Sequence, residues 1–451
     1  MKWLIYGLGE SGTAAAQALL ARNEHVTVAD SSGSSSSREA AKRIGVEARF
    51  GTGPEILNKG FDRIVASPGI RPRDVLLAAA EKNGPPILSE VALGLELLKD
   101  EAPDVRIAAI TGTNGKTTAV DMLSRMLTAS GISHAVAGNS WRALTGCLDE
   151  VNVAGTLVLE VSSFQLHYLR EPGFEIAALL NARPDHLNWH DSFEEYVDDK
   201  LRVFAGQGPG DLALVSADDP AGRDAAASLA AETLVVGKDG TLVQDGKLLL
   251  KGRDLAEGGE LRFVGRHNYE NALFAAAAAE RLGATPSGIR EGLLGYRLKP
   301  HRMQVVGEHG GVTYVDDSKA TNPAAVAAAL ASLEGPVVLI VGGSEKETDF
   351  AEVLPVLARC RAVVCQGEAG PRIARYLEES GVGVDVRLVP DLAAAVKEAG
   401  RLSRPGDVVL LSPGCASFDQ FAGYAQRGEA FAELAAEVRV PARPARGAVG
   451  R

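Results

Sequence analysis

The sequence predicts an α/β protein built on parallel sheets and divided into three successive regions. Two observations carry this. Short apolar or β-branched runs alternate with Ala/Leu-rich helical stretches along nearly the whole chain, which is the pattern of strand–helix–strand crossovers. Two separate glycine-rich turns, one at Gly7 and one at Gly112, each follow a strand-like run and open a helix. With 451 residues, 46% of them hydrophobic, the chain has material for several cores.

In the first region, residues 1–97, strand Trp3–Tyr6 enters the turn Gly7-Leu8-Gly9-Glu10-Ser11-Gly12. A helix near Thr13–Ala21 and a second strand, Val26–Ala29, ending at Asp30, come next. A serine-rich loop is expected at Ser31–Ser37, and strand Arg63–Ala66 leads into Ser67-Pro68-Gly69. The polar segment Leu98–Asp104 carries Pro103 and is expected to be a linker. The middle region, 98–299, then opens on strand Arg106–Ile110. It holds an Asp245-Gly246 hairpin and an alanine-rich helix around Asn271–Ala279. The third region, 300–437, alternates strands Val312–Val315, Val337–Val341, Ala362–Cys365 and Val408–Leu411 with helices. Residues 438–451, rich in Pro, Arg and Ala, are expected to fray.

The formal net charge of -11 argues against broad electrostatic binding of nucleic acid. An acidic chain that binds anions must use local devices: glycine loops, helix N-termini and a few placed cations. Cys147, Cys360, Cys365 and Cys415 form no CxxC pair and have no His at zinc-site spacing, so a reducing cytosol is expected. The N-terminal apolar run meets glycines at once and reads as a strand, not a signal peptide. No apolar run approaches the ~20 residues of a membrane span. The expectation is a cytoplasmic monomer with neither nucleic acid nor membrane as partner.

The strongest local signal is Thr111-Gly112-Thr113-Asn114-Gly115-Lys116-Thr117-Thr118 after the run Ile107–Ile110. The N–H groups of such a loop point at phosphate oxygens, Lys116 would reach the β/γ-phosphates, and Thr117 would offer a hydroxyl to Mg²⁺. The standard phosphate loop has a further glycine where this chain has Ile110. The Gly7–Gly12 turn with Asp30 also fits a dinucleotide fingerprint, and it equally fits tight strand–helix packing. Glu160 ends the strand Leu157–Leu159 and faces the side where open sheets bind ligands, where it could hold Mg²⁺. His186, in Asn181-Ala182-Arg183-Pro184-Asp185-His186, is a metal or water ligand or a structural loop histidine. Lys200, within Asp198-Asp199-Lys200-Leu201-Arg202, reads by default as a solvated helix charge.

Asn268 and Asn271, spaced i, i+3, match the edge of an adenine base or cap a helix. Asp316-Asp317-Ser318-Lys319-Ala320-Thr321-Asn322-Pro323 gathers acid, base and hydroxyl groups at a strand end. Ser412-Pro413-Gly414-Cys415-Ala416-Ser417-Phe418-Asp419-Gln420-Phe421 places N–H donors and Ser417 where a carboxylate could dock.

Taken in order, these motifs resemble the Mur ligase family over nearly the whole chain, to about residue 437. The resemblance implies a Rossmann-like N-terminal domain for a UDP-linked substrate and a central P-loop ATPase-type domain. It also implies a C-terminal Rossmann-like α/β domain. Within the family it is to the members that add D-glutamate to UDP-N-acetylmuramoyl-L-alanine, using ATP and Mg²⁺ and passing through an acyl phosphate. Residue by residue, Gly112 to Thr118 match the ATP phosphate loop, and Lys116, His186 and Lys200 match catalytic residues. Thr117, Glu160 and His186 match magnesium ligands, and Asn139 lies near nucleotide and metal. Lys200 matches the family's carbamylated lysine, which supplies an extra carboxylate at the metals. Asn268, Asn271, Arg302, Asp317 and Lys319 match the ATP side. Thr321, Lys346, Ser417 and Tyr424 match the D-glutamate side, and Ser11, Thr13 and Gly69 the UDP-sugar side. Tyr424 stands where relatives have Phe, and Ser344 where some have an acid. Another amino acid ligase of this family or of the folylpolyglutamate type is the alternative. A non-catalytic nucleotide-binding regulator would leave Glu160, His186 and Lys319 without a task, and an NAD-dependent dehydrogenase the second glycine loop at Gly112–Thr117.

Overall fold

The structure, a computed structural model, describes residues 1–438 except Ser32, Asp239, Val264, Glu334 and 346–348. The chain forms two compact units, Met1–Leu261 with Asn268–Tyr296, and Arg262–His267 with the chain from Arg297 onward.

The first unit holds two parallel sheets. One has the order Glu47–Phe50, His25–Asp30, Lys2–Tyr6, Arg63–Ala66, Ile87–Ser89. The strands on either side of Lys2–Tyr6 are reached in opposite directions along the sheet. That switch point leaves a crevice at the strands' C-terminal ends, where the Gly7 turn sits. The other sheet has six strands in the order Glu232–Val236, Leu212–Ser216, Ile176–Leu179, Arg106–Thr111, Thr156–Glu160, Ala135–Gly138. Strand Thr156–Glu160 is buried at every residue, as its unbroken apolar run requires of a strand covered on both faces. One apolar core runs from Trp3, Ile5 and Val65 to Leu157, Leu159 and Ala177, so the two sheets share it. Each large side chain in such a core contributes about 1.5–3 kcal/mol by leaving water.

A small antiparallel sheet, Leu242–Gln244, Lys247–Leu250 and Arg253–Glu257, completes this unit. Its first turn is the expected Asp245-Gly246 pair, both left-handed at φ 48 and 76.

The second unit carries a six-stranded sheet in the order Gln304–His309, Val312–Asp316, Val408–Leu411, Val337–Gly342, Cys360–Gln366, Asp385–Leu388. The first strand is antiparallel and the rest are parallel, so the sheet is mixed.

Two local expectations change. The serine-rich stretch is not all loop: a helix spans Ser35–Ile44 because Ser34 caps it, its hydroxyl accepting from the Ser37 amide at 3.1 Å. The expected linker at Leu98–Asp104 begins later, since helix Glu90–Glu101 continues through the buried Leu98 and stops just before Pro103.

Candidate active site

Strand Arg106–Thr111 delivers the chain to Gly112, and helix Lys116–Ala129 starts after Gly115 at φ 87. No side chain caps this helix, so its first-turn amides stay available to an anion. Gly115 has to be glycine: a Cβ there would lie 2.3 Å from Asn271 Oδ1. That close approach sets Asn271 against the loop, and Asn268 and Asn271 are both buried within helix Arg266–Arg281. The loop is braced by residues 181–196. Asn181 accepts from the Asn114 amide at 2.9 Å and donates to the Asn114 carbonyl at 3.1 Å. The Thr113 hydroxyl lies 2.8 Å from the Tyr196 hydroxyl and accepts from the Arg183 amide at 2.9 Å. Lys116 Nζ donates to the carbonyls of Gly112 and Thr113, and Thr118 is buried.

Strand Thr156–Glu160 pairs directly with the phosphate-loop strand, Ile110 opposite Glu160, which puts Glu160 beside the loop. Its carboxylate is fully buried. Oε1 accepts from Thr117 Oγ1 at 3.3 Å, Asn139 Nδ2 at 3.0 Å and Ser140 Oγ at 2.9 Å, and Oε2 accepts from Trp141 Nε1 at 2.9 Å. Thr117, Asn139 and Glu160 therefore meet, although they are far apart in sequence. Their donors toward a cation are oxygens, the hard set that Mg²⁺ takes together with phosphate and water.

Lys200 belongs to the same site and is not a surface charge. It lies on helix Phe193–Leu201, is 1% exposed, and donates to the Gly112 carbonyl at 3.0 Å from above the Tyr196 ring. Burial and the neighbouring Lys116 push its pKa well below 10.5, while Asp185, Asp199 and Asp219 pull the other way. Next to it, buried Asp199 forms an ion pair with Arg202 at 3.1 Å and accepts from His167 Nδ1 at 2.8 Å, which ties the helix that carries Lys200 to helix Ser163–His167. His186 has left-handed backbone, φ 57, an uncommon state for a non-glycine residue. Its ring lies edge-on to Phe164 at 4.9 Å, and its Nε2 is 3.7 Å from Asp185.

In the N-terminal sheet, Ser11 and Thr13 are half-buried in the first two turns of helix Glu10–Ala21, and Gly69 is exposed on the Ser67–Gly69 turn. Asp30 does not stand open for a ribose. Its carboxylate accepts from the Leu8 amide at 3.0 Å, the Gly33 amide at 3.3 Å and Ser37 Oγ at 3.1 Å, and so holds the glycine turn itself. Trp189, three residues past His186, donates to the Pro68 carbonyl at 3.1 Å and ties the loop that bears His186 to the turn that bears Gly69.

In the second unit, Asp317 accepts from Ser412 Oγ at 3.0 Å and the Met303 amide at 3.2 Å. Burial raises its pKa to about 7. Lys319 Nζ lies 4.1 Å above the Tyr424 ring, a cation–π contact, and Ser318 Oγ donates to the Tyr424 carbonyl at 2.8 Å. Asn322 caps helix Pro323–Ser332, its side chain accepting from the Ala325 amide. Ser417 is buried on the loop after Val408–Leu411, and Arg302 and Thr321 are half-buried. Lys346 lies outside the described residues.

Sequence reasoning passed over Asn181, Tyr196, Trp141 and Arg427. Asn181 had a signal, since it directly follows a strand in the motif that holds His186. The others had none, because their partners are distant along the chain.

Family models match three stretches: Mur ligase MurD-like, N-terminal domain, residues 1–89; Mur ligase middle domain, residues 110–279; and Mur ligase, glutamate ligase domain, residues 301–415. The chain is 67% identical over 433 residues to the UDP-N-acetylmuramoylalanine–D-glutamate ligase of Rubrobacter xylanophilus, covering 96% of this chain and 97% of that one. It is 35% identical to the enzyme of the same name from Syntrophus aciditrophicus, covering 96% and 97%. Among solved structures it is similar in fold to the MurF ligase of Thermotoga maritima in complex with ADP, at TM-score 0.59 and 18% identity, covering 91% and 94%. It is likewise similar to the UDP-N-acetylmuramate–alanine ligase of that organism, at TM-score 0.56 and 19% identity, covering 96% and 98%.

Proposed function

This chain belongs to the Mur ligase family, and we propose that it joins D-glutamate to UDP-N-acetylmuramoyl-L-alanine in the cytoplasm, with ATP cleaved to ADP and phosphate. The observation that carries the reading is the contact of Thr117 with Glu160 at the mouth of the phosphate loop. It gathers a hydroxyl, a buried carboxylate and a lysine where a triphosphate's terminal phosphates would lie.

The chemistry follows from the groups. A free carboxylate is a poor acyl donor, because its leaving group would be oxide. Transfer of the terminal phosphoryl group of ATP to the carboxylate of the L-alanyl substrate makes an acyl phosphate and ADP. The amine of D-glutamate then attacks the acyl carbon, and phosphate leaves as the amide forms. Lys116 and the amides of 112–118 neutralise charge on the phosphoryl group in transit. Glu160, Thr117 and His186 are the residues that would hold Mg²⁺, with Lys200 as a fourth once carbamylated; Mg²⁺, when bound, screens the phosphate charges. Asn139 supports Glu160, and Asn268 and Asn271 serve the nucleotide from the first unit. Arg302, Asp317 and Lys319 act on the nucleotide side of the second unit. Thr321, Lys346, Ser417 and Tyr424 receive D-glutamate. Ser11, Thr13 and Gly69 receive the UDP-sugar.

The test is ADP release by the full chain with UDP-N-acetylmuramoyl-L-alanine present, comparing D-glutamate with L-glutamate, L-alanine and diaminopimelate. Release that depends on D-glutamate alone is expected. Equal release with any of the others overturns the assignment.

A further inference from the structure

Arg427, on helix Tyr424–Glu437, is 1% exposed, yet every acceptor of its guanidinium among the described residues is neutral. Nε donates to Ser318 Oγ at 2.9 Å and Nη2 to the Ser318 carbonyl at 2.8 Å. Nη1 donates to the carbonyls of Cys415 and Ala416 at 3.0 and 3.1 Å. Asp316 and Asp419 act on it at longer range, and burial lowers its pKa to about 10. A buried cation is ordinarily matched by a carboxylate. Here the positive charge is held by hydroxyl and carbonyl dipoles, with no carboxylate in hydrogen-bond reach among the described residues.

Those carbonyls belong to two loops that leave the C-terminal ends of adjacent parallel strands, Val312–Asp316 and Val408–Leu411. In a planar trans peptide the carbonyl and the following N–H point opposite ways. With the carbonyls of Cys415 and Ala416 turned toward Arg427, the amides of Ala416 and Ser417 turn away from it as neighbours. Neither amide has a hydrogen-bond partner among the described residues, although these residues are only 6% and 2% exposed. Buried amides are rarely left unpaired, and successive N–H groups make a concavity for an anion. The corner is rigid from the far side too. The Ser344 amide donates to the Ala416 carbonyl at 2.9 Å, and a Cβ at Gly343 would sit 2.2 Å from that oxygen.

We propose that Arg427 determines selectivity for a dicarboxylic amino acid without touching it. It turns the amides of Ala416 and Ser417 to receive one substrate carboxylate and places a fixed positive charge behind them. This rests on the D-glutamate reading above and adds to it a residue that positions the binding loop.

The experiment uses the full chain, with KM values for D-glutamate, ATP and UDP-N-acetylmuramoyl-L-alanine measured separately and folding followed by thermal melting. Arg427→Gln is expected to raise the D-glutamate KM by about ten-fold or more and to leave the other two within about three-fold, since an amide no longer held in place forfeits its hydrogen bond to the charged carboxylate, worth at least that factor. It should also narrow the preference for D-glutamate over D-glutamine. Arg427→Lys keeps the charge and loses the fork, so it should raise the D-glutamate KM while retaining that preference. A merely structural arginine would lower stability and kcat with all three KM values moving together, or none; either result overturns the proposal. Should Arg427→Gln lack a cooperative melt, the lysine variant decides, and an unchanged D-glutamate KM there overturns it. A wild-type chain without D-glutamate-dependent turnover overturns both this proposal and the function it rests on.

Discussion

Lys116 and Lys200 share one acceptor: the Gly112 carbonyl takes a hydrogen bond from each, at 2.7 and 3.0 Å. Two ammonium groups on one carbonyl repel, and the more deeply buried one gives up its proton more readily. Lys200 is that one, with its pKa depressed by burial and by Lys116. Only an uncharged amine can add to CO₂, forming a carbamate and releasing a proton. The burial that lowers the Lys200 pKa therefore favours the uncharged amine that the modification implied by the family resemblance requires.

Lys200→Ala is accordingly expected to be nearly inactive at unchanged fold, and a short carboxylic acid added to the assay should restore part of the turnover. Intact-mass measurement in bicarbonate should show the carbamate on the wild-type chain. A fully active alanine variant would refute the role.

Lys116→Ala should fold and lose turnover by roughly 10²–10³-fold or more, the usual scale for removing one group that stabilises developing charge. The loss should fall on kcat/KM for ATP. Lys116 is half-buried and its Nζ donates to the Gly112 and Thr113 carbonyls, so the substitution removes a polar group from the loop and not an apolar side chain from the core. Wild-type-like ADP formation by the folded variant would count against a phosphate role.

The N-terminal sheet should bind the UDP end of the substrate and not NAD. Asp30, the group a dehydrogenase would offer to a ribose, is already occupied with the Leu8 and Gly33 amides and the Ser37 hydroxyl. Calorimetric titration separates the two: tight NAD(H) binding without UDP-sugar binding would reverse the assignment.

Asp317 gives a stability signature with pH. Burial raises its folded pKa to about 7, against roughly 3.9 in an unfolded chain. Between those values the unfolded state releases the proton and the folded state keeps it, so stability falls as pH rises from about 4 to about 7. Asp317→Asn removes this loss. Its Tm relative to wild type should therefore be higher at pH 8 than at pH 5, and an equal difference at both pH values would mean that Asp317 ionises freely in the fold.

The sequence by itself determined the α/β class, both glycine turns, the Asp245-Gly246 hairpin and the order of the motifs. Each depends on contacts between residues close along the chain: a strand's apolar run, a glycine's left-handed backbone, a cap three residues from its amide. It was less informative where composition and capping disagree. The serines after Asp30 read as loop by composition, yet Ser34 starts a helix among them.

Only the tertiary structure decided which charged groups are buried and which distant residues meet. Asp198-Asp199-Lys200 has the look of a solvated helix, but packing of that helix against helix Ser163–His167 places Lys200 at a carbonyl 88 residues away. Pairing of two parallel strands brings Glu160 to Thr117, and closure of two strand-end loops around Arg427 joins Ser318 to Ala416. The physical reason is the range of the forces. Dihedral preference and capping act over a few residues and can be read from spacing. Desolvation and charge coupling depend on what the folded chain places within a few ångströms, which spacing does not record.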